Sequence, residues 1–155
     1  MAESVNSIPD NGAPTPYICV SRGHDAIAFY KDVFGAEETL TISDPQGKVG
    51  HAELRIGQGS MMLCDEFPEY GALSPETIGG SPVVLHIYVG DADATVAKAE
   101  AAGATILKPV EDQFYGDRGG KLKDPFGHIW WVSTHIEDMS HDEMRRRAKD
   151  LYGMS

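Results

Sequence analysis

Hydrophobic and polar positions follow the same order twice along the chain, about 68 residues apart, as from Gly35 to Gly103. In His24–Phe34 the apolar residues recur at helical spacing, and a glycine then ends the segment. Asp91–Ala102 repeats this pattern and also ends in a glycine. The repeat predicts two similar modules, whose uncovered sheet faces would enclose a cleft where a ligand could sit.

Strands are predicted around these helices from alternating residues separated by turn sequences such as DPQG and DPFG. Val49–Ile56 alternates most cleanly, with its apolar side chains on one face and His51, Glu53 and Arg55 on the other. Each half of the chain reads β-α-β-β-β, with strands over Thr15–Val20, Glu38–Ser43, Val49–Ile56, Ser60–Asp65, Val83–Val89, Thr105–Leu107, Lys121–Lys123 and His128–Thr134.

The domain organisation follows from this pattern and from the Pro- and Gly-rich stretches. A capping box at Ser140 and Glu143 begins a third helix near the C-terminus. We predict an α+β fold consisting of a flexible arm, the first module, a linker, the second module and a C-terminal helix, over residues 1–14, 15–65, 66–80, 81–135 and 136–155.

Composition narrows the choice of partners. The formal net charge of −11 argues against nucleic acid, since phosphate binding depends on clustered lysine and arginine. No apolar run reaches the roughly 18 residues of a membrane span, and the N-terminal sequence lacks the order of a signal peptide. Cys19 and Cys64 lie in strand-like runs, which is typical of buried free thiols. We therefore expect a cytoplasmic protein with neither nucleic acid nor membrane as a partner.

The doubled modules, with FYKDVFGAE at the first helix and DPFGHIWWV at the last hairpin, resemble the vicinal oxygen chelate superfamily. That group includes glyoxalase I, bleomycin-resistance proteins, fosfomycin-resistance enzymes and extradiol dioxygenases. The segments TPYICV, HAELRIG, SPVVLHIYV and EDQFYGDRGGKLKDPFGHIWW are similar to its small bacterial, PhnB-like branch. The resemblance extends from Thr15 to the C-terminal helix. It implies paired curved sheets around a cleft that binds a small molecule.

In metal-using members, the resemblance implies one metal ligand from the first strand and one from the last strand of each module. Alignment on the shared motifs places these positions at Thr15, Leu63, Val84 and Trp131. Divalent metals are bound by imidazole, carboxylate or thiolate groups, which these four residues do not provide. We therefore expect neither the superfamily metal nor any other cofactor.

The period of two along a strand predicts which other side chains face the cleft. The strand of Thr15 would also present Tyr17 and Cys19, and that of Val84 would present His86 and Tyr88. The last strands would add Met61, Leu63, Ile129, Trp131 and Ser133. This mostly apolar and aromatic lining is usual for a small-molecule site. The candidate ligand-binding residues are Tyr17, His51, Glu53, Leu63, His86, Tyr88, Phe114, Arg118 and Trp131.

His51, Glu53 and His86 have three interpretations. They could form a displaced metal site with two histidines and one carboxylate. One histidine could instead act with Glu53 as an acid–base pair, because histidine titrates near neutral pH. In the third interpretation, each side chain only makes local hydrogen bonds. The sequence does not show whether the three residues converge.

The other candidate residues also have more than one interpretation. The predicted long loop Glu111–Gly120 is either a lid in which Arg118 meets an anionic or carbonyl group, or a loop fixed by a local Asp117–Arg118 ion pair. Trp131 is either a stacking platform or part of the core. Cys19 lacks a positioned base, which argues against a nucleophilic role.

The leading hypothesis from the sequence is a metal-independent binder of a small, partly aromatic or hydrophobic molecule. The competing hypothesis is a lyase or isomerase of the glyoxalase kind that uses His51, Glu53 or His86. We expect a homodimer, whose modules pair within one chain or between chains. A third hypothesis is a protein retained only for assembly.

Overall fold

The computed structural model describes residues 8–154, without the side chains of Asp10 and Asn11. Residues 1–7, half of the predicted flexible arm, lie outside this range, and Pro9–Gly12 forms a 3₁₀ turn. The first module comprises β1 (Tyr17–Val20), α1 (Gly23–Phe34), β2 (Glu37–Ser43), β3 (Val49–Ile56) and β4 (Gly59–Asp65). Gly35, at φ 67°, ends α1 in the left-handed conformation that glycine adopts without steric cost.

The segment between the modules contains a 3₁₀ turn, Pro68–Tyr70, and the single helical turn α2 (Pro75–Ile78). The second module comprises β5 (Val84–Tyr88), α3 (Ala92–Ala101), β6 (Thr105–Asp112), β7 (Asp117–Lys123) and β8 (Ile129–His135). The helix α4 (His141–Tyr152) follows, and the Ser140 hydroxyl caps it by accepting a bond from the Glu143 backbone N–H.

The predicted long loop over Glu111–Gly120 is wrong. Glu111 and Asp112 end β6, Asp117 begins β7, and only the four residues 113–116 connect the two strands. The glycines and the proline of this segment interrupt the alternation of apolar and polar residues by which a strand is recognised in a sequence. Close packing nevertheless requires glycine in this strand. A Cβ on Gly120 would lie 3.0 Å from the Lys108 carbonyl oxygen of the neighbouring strand.

Each module forms one four-stranded mixed sheet with the same topology. The first sheet has the order β1-β4-β3-β2, and the second has the order β5-β8-β7-β6. In both sheets the first strand pairs in parallel with the last, and the other neighbours are antiparallel. The predicted α+β class and doubled β-α-β-β-β order are confirmed.

The helix-covered sides of the two sheets share one hydrophobic core. Tyr30 of α1 packs against Trp130 of β8 with ring centroids 5.5 Å apart, and Phe29 contacts Phe126 at 6.0 Å. His128 also bonds the Cys19 carbonyl oxygen across the two modules at 2.8 Å. The opposite side of each sheet carries no helix of its own module, and we call it the open face.

The two modules differ by one residue in the hairpin between their third and fourth strands. Arg55 pairs with Ser60 in the first sheet, whereas Lys123 pairs with Ile129 in the second, so the second turn is one residue longer. The spacing of equivalent positions therefore changes from 68 residues in the third strand to 69 in the fourth. A shift of one residue reverses the face on which a strand residue lies.

Candidate binding site on the open sheet faces

A chain of hydrogen bonds crosses the open face of the first sheet. The Tyr17 hydroxyl donates to His51 Nδ1 at 2.9 Å, and His51 Nε2 lies 3.1 Å from Glu53 Oε1. Because a carboxylate only accepts hydrogen bonds, Nε2 carries the proton and Nδ1 is left to accept from Tyr17. Burial, followed by the Cys64 thiol, raises the pKa of Tyr17. The phenol therefore stays protonated as the donor.

The two cysteines lie side by side on the same face, because Cys19 and Cys64 are register partners in β1 and β4. Both are free thiols. Burial and then Cys64 raise the pKa of Cys19 to about 12, so its thiol is protonated at neutral pH. This agrees with the expectation that Cys19 does not act as a nucleophile.

The open face of the second sheet contains a recess of about 530 Å³. The recess lies over β5, β7 and β8, and its size is in the range of small-molecule sites. Three of its side chains are aromatic and two are basic. It is lined by Val84, His86, Tyr88, Tyr115, Asp117, Lys121 and Trp131.

Asp117 is the buried acidic group of this recess. Its carboxylate accepts a 2.7 Å hydrogen bond from the Tyr88 hydroxyl and lies 2.9 Å from His135 Nδ1. The other imidazole nitrogen of His135 lies 2.7 Å from Asp138. Hydrogen bonds that the His135 ring donates to Asp117 and then to Asp138 raise the pKa of His135. The network fixes the Tyr88 ring at the edge of the recess.

Trp131 lies against the glycine of the adjacent strand. A Cβ on Gly119 would be 3.1 Å from Trp131 Nε1 and 2.8 Å from the Val132 carbonyl oxygen, so only glycine leaves room for the indole. Trp131 Nε1 is buried without a hydrogen-bond partner among the described residues. Burial and Asp117 raise the pKa of Tyr115, while Trp131 opposes this rise. Tyr115 and the indole are thus neighbours, although they are not aligned as a hydrogen bond.

The structure corrects the predicted orientation of β4. Leu63 is fully buried and pairs with Ala52 on the helix-covered side, as Met61 does with Leu54. The open-face residue is Met62, which pairs with Tyr17 and Glu53. Met62 thus corresponds to Trp131, which pairs with His86. The prediction that Leu63 and Met61 face the cleft is wrong, because it carried the 68-residue spacing past the longer turn.

Arg118 and Phe114 also lie away from the recess. The Arg118 guanidinium bonds Asp93 of α3 at 2.7 Å and Asp112 at 2.9 Å, on the helix-covered side. The partners of Arg118 are therefore Asp93 and Asp112, and the predicted local ion pair with Asp117 is not formed. Phe114 packs against Tyr152 of α4, with ring centroids 5.8 Å apart. Neither side chain lines the recess.

His51, Glu53 and His86 do not converge within one chain. His86 Nε2 lies 3.1 Å from Ser133 Oγ of its own module, and the cavities that include His86 contain neither His51 nor Glu53. Within residues 8–154, no three His, Cys, Asp or Glu side chains form a group that could hold a metal ion. At the four positions that the resemblance assigns to metal ligands, with Met62 replacing Leu63, the side chains offer a hydroxyl, a thioether, an alkyl group and an indole. These residues do not fit a divalent metal.

Sequence reasoning missed Tyr115 and Lys121 as parts of the recess. Lys121 pairs directly with Trp131, and Asp117 with His135, so the same face includes all four residues. Alternation along β7 would have placed Lys121 there if the strand had been recognised to begin at Asp117, whereas Tyr115 lies in the preceding turn and has no such signal.

The arrangement of strands and helices agrees with a known protein family. The sequence model of the Glyoxalase/Bleomycin resistance protein/Dioxygenase superfamily matches residues 13–132. The chain belongs to this superfamily. The predicted family is thereby confirmed.

An uncharacterized protein of Mycobacterium tuberculosis is 38% identical over 136 residues, which cover 86% of this chain and 80% of that protein. The crystal structure of the Arabidopsis thaliana At5g48480 gene product has 31% identity and a TM-score of 0.61, covering 78% of this chain and 97% of the other. A PhnB protein from Bacillus cereus shares the fold, with 19% identity and a TM-score of 0.62 over 78% of this chain and 98% of the other.

Proposed function

We propose that the protein binds a small, partly aromatic molecule in the recess of the second sheet, without a metal. The observation that carries this proposal is the position of Trp131. It occupies a position that the family resemblance assigns to a metal ligand, yet it offers an aromatic surface flanked by Tyr88 and Tyr115. Aromatic side chains contribute large contact areas and stack on planar ligands.

A thermal-shift screen of one- and two-ring aromatic compounds tests this proposal. We expect a subset to stabilise the wild type and to bind by calorimetry. The effect should be lost in Trp131→Ala and kept in Tyr70→Ala, which truncates an exposed aromatic residue of the segment between the modules. Binding that survives Trp131→Ala, or that requires Tyr70, would place the site elsewhere.

The metal-free character has its own test. Protein purified without chelator should contain far less than one equivalent of Ni, Zn, Fe or Mn per chain by elemental analysis. One bound equivalent that is removed by dialysis against a chelator would overturn this part of the proposal.

A homodimer belongs to the same proposal. Apolar side chains remain exposed on both open faces, including Tyr17 at 53%, Ile42 at 55% and Tyr88 at 56%. A second copy that paired one open face with another would cover them and enclose the recess. We expect twice the monomer mass in sedimentation at micromolar concentration. A monomer that still binds its ligand would contradict the dimer while leaving the binding site in place.

We also place the protein in the cytoplasm, because Cys19 and Cys64 are adjacent free thiols, which a reducing compartment preserves. Among the described residues, no helix has the length and apolar character needed to cross a bilayer. Cell fractionation should recover the protein in the cytoplasmic fraction.

The second candidate function is acid–base catalysis of the glyoxalase kind, and the Tyr17–His51–Glu53 chain favours it. An imidazole held between a phenol and a carboxylate has a geometry suited to proton transfer. The test is turnover of hemithioacetals, which should be lost in His51→Ala. Absence of turnover in the wild type, together with unchanged ligand binding in His51→Ala and His86→Ala, would eliminate this function.

A further inference from the structure

Lysines gather on the open face of the second sheet in a chain whose formal net charge is −11. Lys121 of β7 is the register partner of both Trp131 in β8 and Lys108 in β6. Lys108 and Lys121 are therefore register partners across β6 and β7, between two irregularities in the register of β6, and Lys121 lies beside the indole. Like charges at directly opposite positions destabilise a sheet. A negative charge placed beside the two ammonium groups would relieve this repulsion.

The described protein does not supply this counter-charge. Neither Lys108 nor Lys121 forms a salt bridge with a described acidic side chain, whereas Lys31, Lys98 and Arg118 each do. The acidic group of the recess, Asp117, already accepts a hydrogen bond from Tyr88 and is paired with His135. Lys121 is partly buried in the lining of the recess. Its ammonium group is thus a basic group available to a ligand.

We propose that the ligand is a planar aromatic anion of the carboxylate type. Its ring lies against Trp131, and its anionic group pairs with Lys121, with Lys108 adding to the positive potential. This inference rests on the proposed binding function and specifies the chemical class of its ligand. A charge-assisted hydrogen bond to an ammonium group is roughly twice as strong as a neutral one, so the charge should dominate selectivity.

The test compares 2-naphthoate with its neutral isostere 2-naphthamide by isothermal titration calorimetry on the full chain. We expect the wild type to bind naphthoate about tenfold more tightly than naphthamide. Lys121→Gln should remove most of that difference and leave naphthamide binding unchanged. Lys149→Gln, on α4, serves as the control and should leave both affinities unchanged. Raising the salt concentration should weaken naphthoate binding alone.

The outcomes separate this inference from the proposed function. Equal binding of the two probes to the wild type, or equal weakening of both by Lys121→Gln, would overturn the anionic class and keep the aromatic site. Binding of neither probe would overturn both proposals. The melting temperature of ligand-free Lys121→Gln is an independent check on folding, and we expect it to equal or exceed the wild-type value because a like-charge pair is removed.

Discussion

The Tyr30 hydroxyl donates a 2.5 Å hydrogen bond to the Asp124 carboxylate, which joins the helix of the first module to the last turn of the second. Both groups are buried. Asp124 also accepts bonds from the Trp130 indole and from the backbone N–H groups of Phe126 and His128. One carboxylate thus holds the turn that precedes Trp131 and fixes it to the other module.

Removal of the Tyr30 hydroxyl should destabilise the fold without moving the recess. We expect Tyr30→Phe to lower the free energy of unfolding by about 2 kcal/mol, because a hydrogen bond to a buried charged group is lost. Urea denaturation measures this change. Tyr70→Phe is the control, since Tyr70 is exposed, and it should have almost no effect. Equal stability of the two variants would show that the bond contributes nothing.

The raised pKa of Tyr30 predicts that the protein loses stability at alkaline pH. Burial and the Asp124 charge raise the pKa of Tyr30 well above 10, so the folded protein keeps its phenolic proton. The unfolded chain releases that proton near pH 10, which favours unfolding as the pH rises further. The contribution is therefore complete below pH 10 and is lost above it. Denaturation between pH 8 and 11 should show a steeper decline for the wild type than for Tyr30→Phe. Parallel declines would contradict the assignment.

Gly119→Ala should displace the Trp131 indole. The new Cβ would meet the Val132 carbonyl oxygen and Ser133 Oγ at 2.8 Å, and neither atom can move far within the sheet. We expect a loss of about 1–3 kcal/mol of stability, as is typical of overpacking. Gly50→Ala is the matched strand control, since its Cβ would lie 3.6 Å from its nearest neighbour. Equal unfolding midpoints for the two variants would contradict the close packing.

His135 should titrate above the ordinary histidine value of about 6.5. Both imidazole nitrogens lie against carboxylates, which favour the protonated ring, and the raised pKa has Asp117 as its first cause. An NMR titration of the imidazole protons measures this pKa. Asp117→Asn should lower it, and Asp142→Asn, on α4, should leave it unchanged. A wild-type pKa below 6.5 would show that the network does not form.

More of the fold than of the candidate site could be predicted from the sequence. The repeated helical patterns around Tyr30 and Val96 and the alternation of β3 depend on local spacing, which the sequence displays directly. The face of β4 depended on the length of one turn, and a single additional residue exchanged Met62 for Leu63. The start of β7 was hidden because Gly119 and Gly120 serve close backbone packing and leave no alternating pattern. The pairing of Arg118 with α3 is a tertiary contact that spacing cannot reveal.

The central claim is that the ligand binds on the open face at Trp131. The two tryptophans of the protein allow the place of binding to be measured directly. Trp130 is buried with its indole bonded to Asp124, whereas Trp131 lines the recess. Each gives one indole N–H signal in a ¹⁵N–¹H NMR spectrum, and Trp131→Phe assigns them by removing one. During titration with 2-naphthoate, the Trp131 signal should shift saturably while the Trp130 signal stays in place. Saturable binding by calorimetry with an unchanged Trp131 signal would contradict the account.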